Sequence, residues 1–256
     1  MKIRNNPRFK RAFTLVELLV VIAIIATLAT FVVFGIGRAK KGANAAKLTN
    51  QMKQIYTGLN QLSEEGVDTG NHNPGSFPPH SGTLDDNQGT DFIWWDLVAE
   101  QLNIAERDNG KIEWSEPYSE TIFQNPLSEH KLGGNRKEYL TLYGRTKDTK
   151  GSFAINGELS DQADPGADSD QVFVLRQSKL EDPTNTIYFA ESDDAKNREG
   201  YYFDGMVNAP QGNYKDQVRC CMCSGEIRIF PNAALKESSK FEFLTAVDEK
   251  NYNNQP

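Results

Sequence analysis

One carboxylate, Glu17, stands alone as a charge in the apolar run from Phe13 to Gly37. An ionisable group in such a setting costs on the order of 2.5–3.5 kcal/mol on membrane-insertion scales, so it calls for a partner and a purpose. Elsewhere, residues able to do chemistry are scattered. His72, His80 and His130 lie in loop-like sequence with no Cys, Ser or Asp beside them in a nucleophile pattern. GxSxG, HExxH and phosphate-loop motifs are missing, so no enzymatic activity is expected. Cys220, Cys221 and Cys223 crowd into one stretch. They form no disulfide framework, and no second ligand pair completes a zinc site. In a strand, Val218, Cys220 and Met222 share one face while Cys221 and Cys223 share the other. That pattern reads as small apolar side chains packed in a core, with a free thiol or an intersubunit disulfide as alternatives. Asp161, Asp164, Asp168 and Asp170 gather four carboxylates in one stretch. Calcium takes several oxygens from a flexible loop, but this spacing matches no EF-hand, and a solvated acidic loop is the preferred reading. Glu191, Asp193 and Asp194 form a weaker cluster read the same way. No cofactor is expected, calcium at the four aspartates being the one candidate.

The elements around Glu17 point to a membrane. About 20 apolar residues span a bilayer as a helix, and Leu18 to Gly37 supplies that length without a charge. Arg38, Lys40 and Lys41 follow at once, at the level of lipid headgroups. Residues 1–12 carry Lys2, Arg4, Arg8, Lys10 and Arg11 and no acid, and removing those five cations takes the net charge from −7 to −12. A basic tip on an acidic body argues against nucleic-acid binding. It fits a leader that stays in the cytoplasm while the body lies outside. An ordinary signal peptide competes, since Thr27-Leu28-Ala29 loosely resembles a small-x-small cleavage site. The apolar run continues past it through Phe31 to Phe34, however. A plain signal anchor is the other competitor, and neither gives Glu17 a purpose.

Beyond the apolar run, Leu48, Met52, Ile55, Leu59 and Leu62 recur at steps of four and three, one apolar stripe that predicts continuing helix. A helix from Phe13 to Glu65 would be roughly 80 Å long. Gly66 is its expected stop, and Gly35 and Gly37 are its weak points. Residues 66–90 read as loop, and Asp91 to Leu102 as a short helix with Trp95, Val98 and Leu102 on one face. Strands are expected at Tyr139–Tyr143, Ser152–Ile155, Val172–Leu175, Thr186–Ala190, Tyr201–Phe203, Val218–Met222 and Ile227–Phe230, paired antiparallel. The fold expected is α+β: one long N-terminal helix, its first half membrane-spanning, packed on a C-terminal antiparallel sheet domain. The divisions are 1–12 leader, 13–37 transmembrane segment, 38–65 amphipathic helix, 66–248 extracytoplasmic domain and 249–256 flexible tail.

Arg11-Ala12-Phe13-Thr14-Leu15-Val16-Glu17 resembles the prepilin cleavage and methylation motif of type IV pilins and type II secretion pseudopilins. The resemblance implies that a prepilin peptidase cuts between Ala12 and Phe13 and methylates the new amine of Phe13. It makes Glu17 the fifth mature residue, the family's signature for assembly. Ala12 stands where glycine is usual, and the membrane segment lacks the proline that many type IV pilins carry. Cleavage creates a cation at Phe13, and an opposite charge is the cheapest way to satisfy Glu17, within one subunit or between neighbours. Such a pair would also set the axial register between packed helices.

The body resembles a bacterial pilin-like subgroup with a Pro-Pro segment and a terminal His-spacer-Asp-Gly signature. Phe77-Pro78-Pro79, Phe123-Gln124-Asn125-Pro126-Leu127-Ser128, Phe153-Ala154-Ile155-Asn156-Gly157 and Asp182-Pro183-Thr184-Asn185-Thr186-Ile187 resemble its blocks. Cys223-Ser224-Gly225-Glu226-Ile227-Arg228 departs from its ending, and the upstream histidine is absent. The resemblance implies a structural subunit of a pilus, a secretion pseudopilus or an uptake pilus. Its partners would be the prepilin peptidase, other pilin or pseudopilin subunits, the inner-membrane assembly machinery and membrane lipid. It would sit in the inner membrane as a single-pass protein, N-terminus in the cytoplasm and body outside, and enter a filament on assembly. The alternative is an exported ligand-binding or enzymatic domain that merely uses a membrane anchor.

Overall fold

A computed structural model describes residues 14–68, 74–86, 88–109, 111–115, 121–127, 152–159, 175–192, 202–203, 212, 216–232 and 235. The first helix, α1, runs Leu15–Glu65. Gly35 and Gly37 are helical within it. Its end is set as expected: Gly66 takes φ +84° and its N–H donates to the Leu62 carbonyl at 2.9 Å, the left-handed stop that glycine adopts without penalty. The chain divides into two compact units, residues 1–44 and 45–256.

In the second unit the predicted stripe is the seam of the core. Leu48, Met52, Ile55 and Leu59 are fully buried and Leu62 nearly so. They join Tyr188, Phe189 and Cys221 of the sheet and Trp94, Leu97 and Val98 of a second helix. The sequence around that helix reads differently in three dimensions. Asp91–Ile93 is not its first turn but strand β2, paired antiparallel with β1, Ser81–Thr83. The helix, α2, is Trp94–Gln101. Asp96 explains the boundary: its carboxylate accepts the Ile93 N–H at 3.1 Å, satisfying a donor that the start of a helix leaves open. The expected face of Trp95, Val98 and Leu102 is widened by Trp94, Leu97 and Ala99, all buried. A hairpin not anticipated follows, β3 (Ala105–Asp108) and β4 (Lys111–Trp114), with Asp108 opposite Lys111.

The main sheet contains β5 (Phe153–Asn156), β6 (Ile187–Glu191), β7 (Tyr202–Phe203), β8 (Gln217–Met222) and β9 (Ile227–Pro231), in the order β7-β5-β6-β8-β9. Pairing is antiparallel from β5 through β9. At the other edge β7 runs parallel to β5, against the expectation for Tyr201–Phe203. Of the expected strand Val172–Leu175, only Leu175 is described; it is not in a strand, and its carbonyl accepts the Phe77 N–H at 2.9 Å. The expected strand Tyr139–Tyr143 and the tail after Asp248 lie outside the described residues. The central strands β5, β6 and β8 are buried on both faces, while edge strand β9 is partly open, with Ile229 exposed. Val218, Cys220 and Met222 pack with Ala154, Ile187, Ala190 and Leu235 on one side. Cys221 joins the main core on the other side, with Cys223 packed against it. The alternation read along this strand is therefore how the sheet presents its residues.

Candidate functional site

Thr14 is the N-cap of α1, and it is where the described chain meets Glu17. The Glu17 N–H donates to Thr14 Oγ1 at 3.2 Å. In return Glu17 Oε2 accepts the Thr14 N–H at 2.8 Å and the Thr14 hydroxyl at 2.9 Å. This reciprocal arrangement is a capping box, which satisfies two open N–H groups at the start of a helix. Sequence reasoning looked past Thr14 toward an amine at Phe13, yet the signal was legible as Thr-x-x-Glu directly before an apolar run. The cap gives Glu17 a partner in its own chain and engages one of its two carboxylate oxygens. Ala12 and Phe13 lie outside the described residues.

From Leu15 through Val33 every residue is exposed. A helix apolar on all sides is a core or membrane element, not a surface one. One helix near the N-terminus, α1, is long and apolar enough to cross a membrane. The two hydroxyls between Leu15 and Val33 are already satisfied: Thr27 donates to the Ile24 carbonyl at 2.8 Å and Thr30 to the Ala26 carbonyl at 2.9 Å. Back-bonding of this kind removes the penalty of carrying a hydroxyl into hydrocarbon. Thr27-Leu28-Ala29, the signal-peptide-like triplet, lies in mid-helix.

His72, His130, Asp161, Asp164, Asp168, Asp170, Asp193 and Asp194 lie outside the described residues. His80 is buried, its Nδ1 2.9 Å from the Ser81 hydroxyl, which is a packing arrangement. Among the described residues no group of three or more His, Cys, Asp or Glu side chains could hold a metal. Glu191 departs from the reading given to its cluster: it is fully buried rather than solvated. Its Oε1 accepts the Arg219 N–H at 2.6 Å and faces the Arg219 guanidinium at 3.4 Å, and its Oε2 accepts from the Asn125 amide at 2.9 Å. Burial pushes the Glu191 carboxyl above its usual range, and Arg219 pulls it back in part. Cys220 and Cys221 are free and buried, and burial lifts the Cys221 thiol to about 12 and that of Cys220 well above its usual value. Thiols held neutral in this way are poor nucleophiles.

The blocks of the body converge on one framework. Asp182 gathers its own loop: its Oδ1 accepts from the Thr184 hydroxyl at 2.6 Å and the Asn185 N–H at 3.1 Å, and its Oδ2 from the Asn185 amide at 2.6 Å. That loop holds the β8–β9 turn, where Cys223 N–H donates to the Thr186 carbonyl and Ser224 N–H to that of Pro183, both at 2.9 Å. Arg228 donates to Asn185 Oδ1 at 3.0 Å from the far side. Tyr56 of α1 closes the turn, donating to the Cys223 carbonyl at 3.1 Å. A Cβ at Gly225, whose φ is +82°, would lie 2.6 Å from the Tyr56 ring, so only glycine fits. Phe77 stands edge-on to Tyr188 at 5.1 Å, and Phe123 to Trp114 at 5.3 Å. Asn156 donates to the Ile187 carbonyl at 2.9 Å and so ties β5 to β6. The contacts these blocks make hold the fold together.

The prokaryotic N-terminal methylation motif matches residues 7–33. No curated protein and no solved structure matches the chain. The architecture, an apolar N-terminal helix with a β-sheet domain, is pilin- or pseudopilin-like. Together with the motif it is consistent with a membrane-anchored structural subunit.

Proposed function

We propose that this chain is a pilin or pseudopilin subunit, processed by a prepilin peptidase between Ala12 and Phe13 and assembled into a filament through its N-terminal helix. The observation that carries the reading is the methylation motif at residues 7–33, which ends inside a helix exposed and apolar on every side. A soluble protein would not leave that surface in water, whereas a bilayer and then the packed helices of neighbouring subunits would cover it in turn. Glu17 is the assembly residue in this reading. Thr14 engages its Oε2, and a cationic amine at Phe13 of the same or a neighbouring subunit would complete its charge. The peptidase, sister subunits, inner-membrane assembly machinery and bilayer lipid are the partners, with the body outside the cytoplasm. Mass spectrometry of membrane-extracted protein should yield an N-terminal peptide beginning with N-methyl-Phe13. A mature chain starting at Thr30 would falsify the reading in favour of an ordinary signal peptide.

A further inference from the structure

Between Glu17 and Glu64 the sequence contains no acidic residue, yet it contains Arg38, Lys40, Lys41, Lys47 and Lys53. An exposed helix of a soluble protein ordinarily intersperses its cations with acids three or four residues away. This one cannot, because no such acid exists. Arg38, Lys40 and Lys41 are exposed, and none of them forms an ion pair among the described residues. No described side chain supplies their counter-anion.

Two observations say which anion. The three cations occupy a band about 4.5 Å deep along the helix axis, given 1.5 Å of rise per residue. That band begins directly after the uncharged Leu18–Gly37 run, whose described side chains are exposed up to Gly37. A band so thin, at the end of a span of bilayer length, coincides with the phosphate layer of a leaflet. Arg38 and Lys41 also stand one turn apart, so their side chains reach the same side of the helix and can share one phosphate. Resting on the reading that this run crosses the bilayer, we infer that Arg38, Lys40 and Lys41 form a binding site for anionic phospholipid headgroups. The site lies in the leaflet facing the body and selects them over zwitterionic ones. Leader removal would raise its importance. The precursor carries five cations before the span against three after it; the processed chain keeps the three and has only its amine on the other side. The lipid contact on the body side then becomes the main electrostatic hold on the helix.

The test uses the full chain in vesicles with a reporter at Ile36→Trp, an exposed position two residues before the band. Its fluorescence, above that of the chain without the reporter, is quenched by brominated phosphatidylcholine or by the same fraction of brominated phosphatidylglycerol. Phosphatidylglycerol should be enriched around the reporter by on the order of three- to tenfold over bulk. The Arg38→Gln/Lys40→Gln/Lys41→Gln variant should bring the two lipids to equal quenching, and Lys40→Arg/Lys41→Arg should retain the preference. Millimolar inorganic phosphate should not compete; if it removed the preference, the assignment to lipid would be overturned. Equal quenching by both lipids in the unmodified band would overturn the inference while leaving the span intact. No quenching by either lipid would overturn the membrane-spanning reading and the inference with it.

Discussion

The two halves of α1 share a backbone conformation and little else. In its first half Leu18, Ile22, Ile25 and Leu28 are each more than half exposed. Its second half carries only a stripe, and Leu48, Met52, Ile55 and Leu59 are fully buried by the chain's own sheet and second helix. The first half is far richer in apolar residues and carries them all round the axis, whereas the second confines its fewer apolar residues to one side. An all-round surface needs a medium, while a stripe needs one partner face. In the proposed reading assembly falls to the first half and domain stability to the second, and substitutions can break that division.

The largest effect is expected at Glu17. Glu17→Gln or Glu17→Ala should leave insertion intact and the leader removed, yet abolish filaments, with processed monomer accumulating in the membrane. Filament counts beside an immunoblot for processed protein read this directly, and normal filaments in both variants would sink the assembly role. Next come the apolar residues. Leu59→Ala should lower the unfolding free energy of the body, expressed from Ala43 onward as a soluble fragment, by about 2–5 kcal/mol. Leu28→Ala in the full chain should leave the body's melting unchanged. Equal losses from the two would erase the distinction between the halves.

Glycines give a finer version of the same comparison. A Cβ on Gly58 would lie 2.7 Å from Val98 Cγ1, whereas one on Gly35 would meet nothing within 4 Å. Gly58→Ala should therefore cost about 1–3 kcal/mol by overpacking a stiff β-branched neighbour, and Gly35→Ala nothing in the body's melting curve. The smallest effect is a pH dependence. Hydrogen bonds from Thr184 and Asn185 hold the Asp182 carboxyl below its usual range. The unfolded chain then binds that proton first on acidification. Its stabilisation is full above about pH 4 and is lost as pH falls through the lowered native value. Glu191 works in the opposite sense, because its raised carboxyl makes the folded state bind the proton first. Asp182→Asn should thus lower the melting temperature of the fragment at neutral pH and converge with the parent as pH falls through the lowered native value. A constant offset across that range would refute the linkage.

How far the sequence disclosed this molecule depends on the range of the interactions involved. The stripe from Leu48 to Leu62 and the alternation through Cys220, Cys221 and Met222 were legible because each reports one periodicity against one core. The start of α2 was misplaced by three residues because Asp91-Phe92-Ile93 fits a helical face as well as a strand, and pairing with Ser81–Thr83 decides it. Asp96, three residues after Ile93, was the local clue. The β3–β4 hairpin carried its own signal, Asn109-Gly110 between Asp108 and Lys111, and Asn109 indeed adopts φ +46°. The parallel pairing of β7 with β5 had none, since nothing local in two strand residues fixes their direction. At the candidate site, the Thr14–Glu17 cap was readable from spacing. The contact of buried Glu191 with Arg219 and Asn125 joins residues far apart in sequence, and no local pattern announces it.

The placement of Cys220 and Cys221 on opposite faces of β8 makes the chain its own stopwatch. The two thiols are neighbours in sequence but belong to separate hydrophobic compartments. Alkylation of Cys221 requires the α1 side of the sheet to open, and alkylation of Cys220 requires the other side to open. The two modification rates, read peptide by peptide under native conditions, would time the exposure of each layer separately.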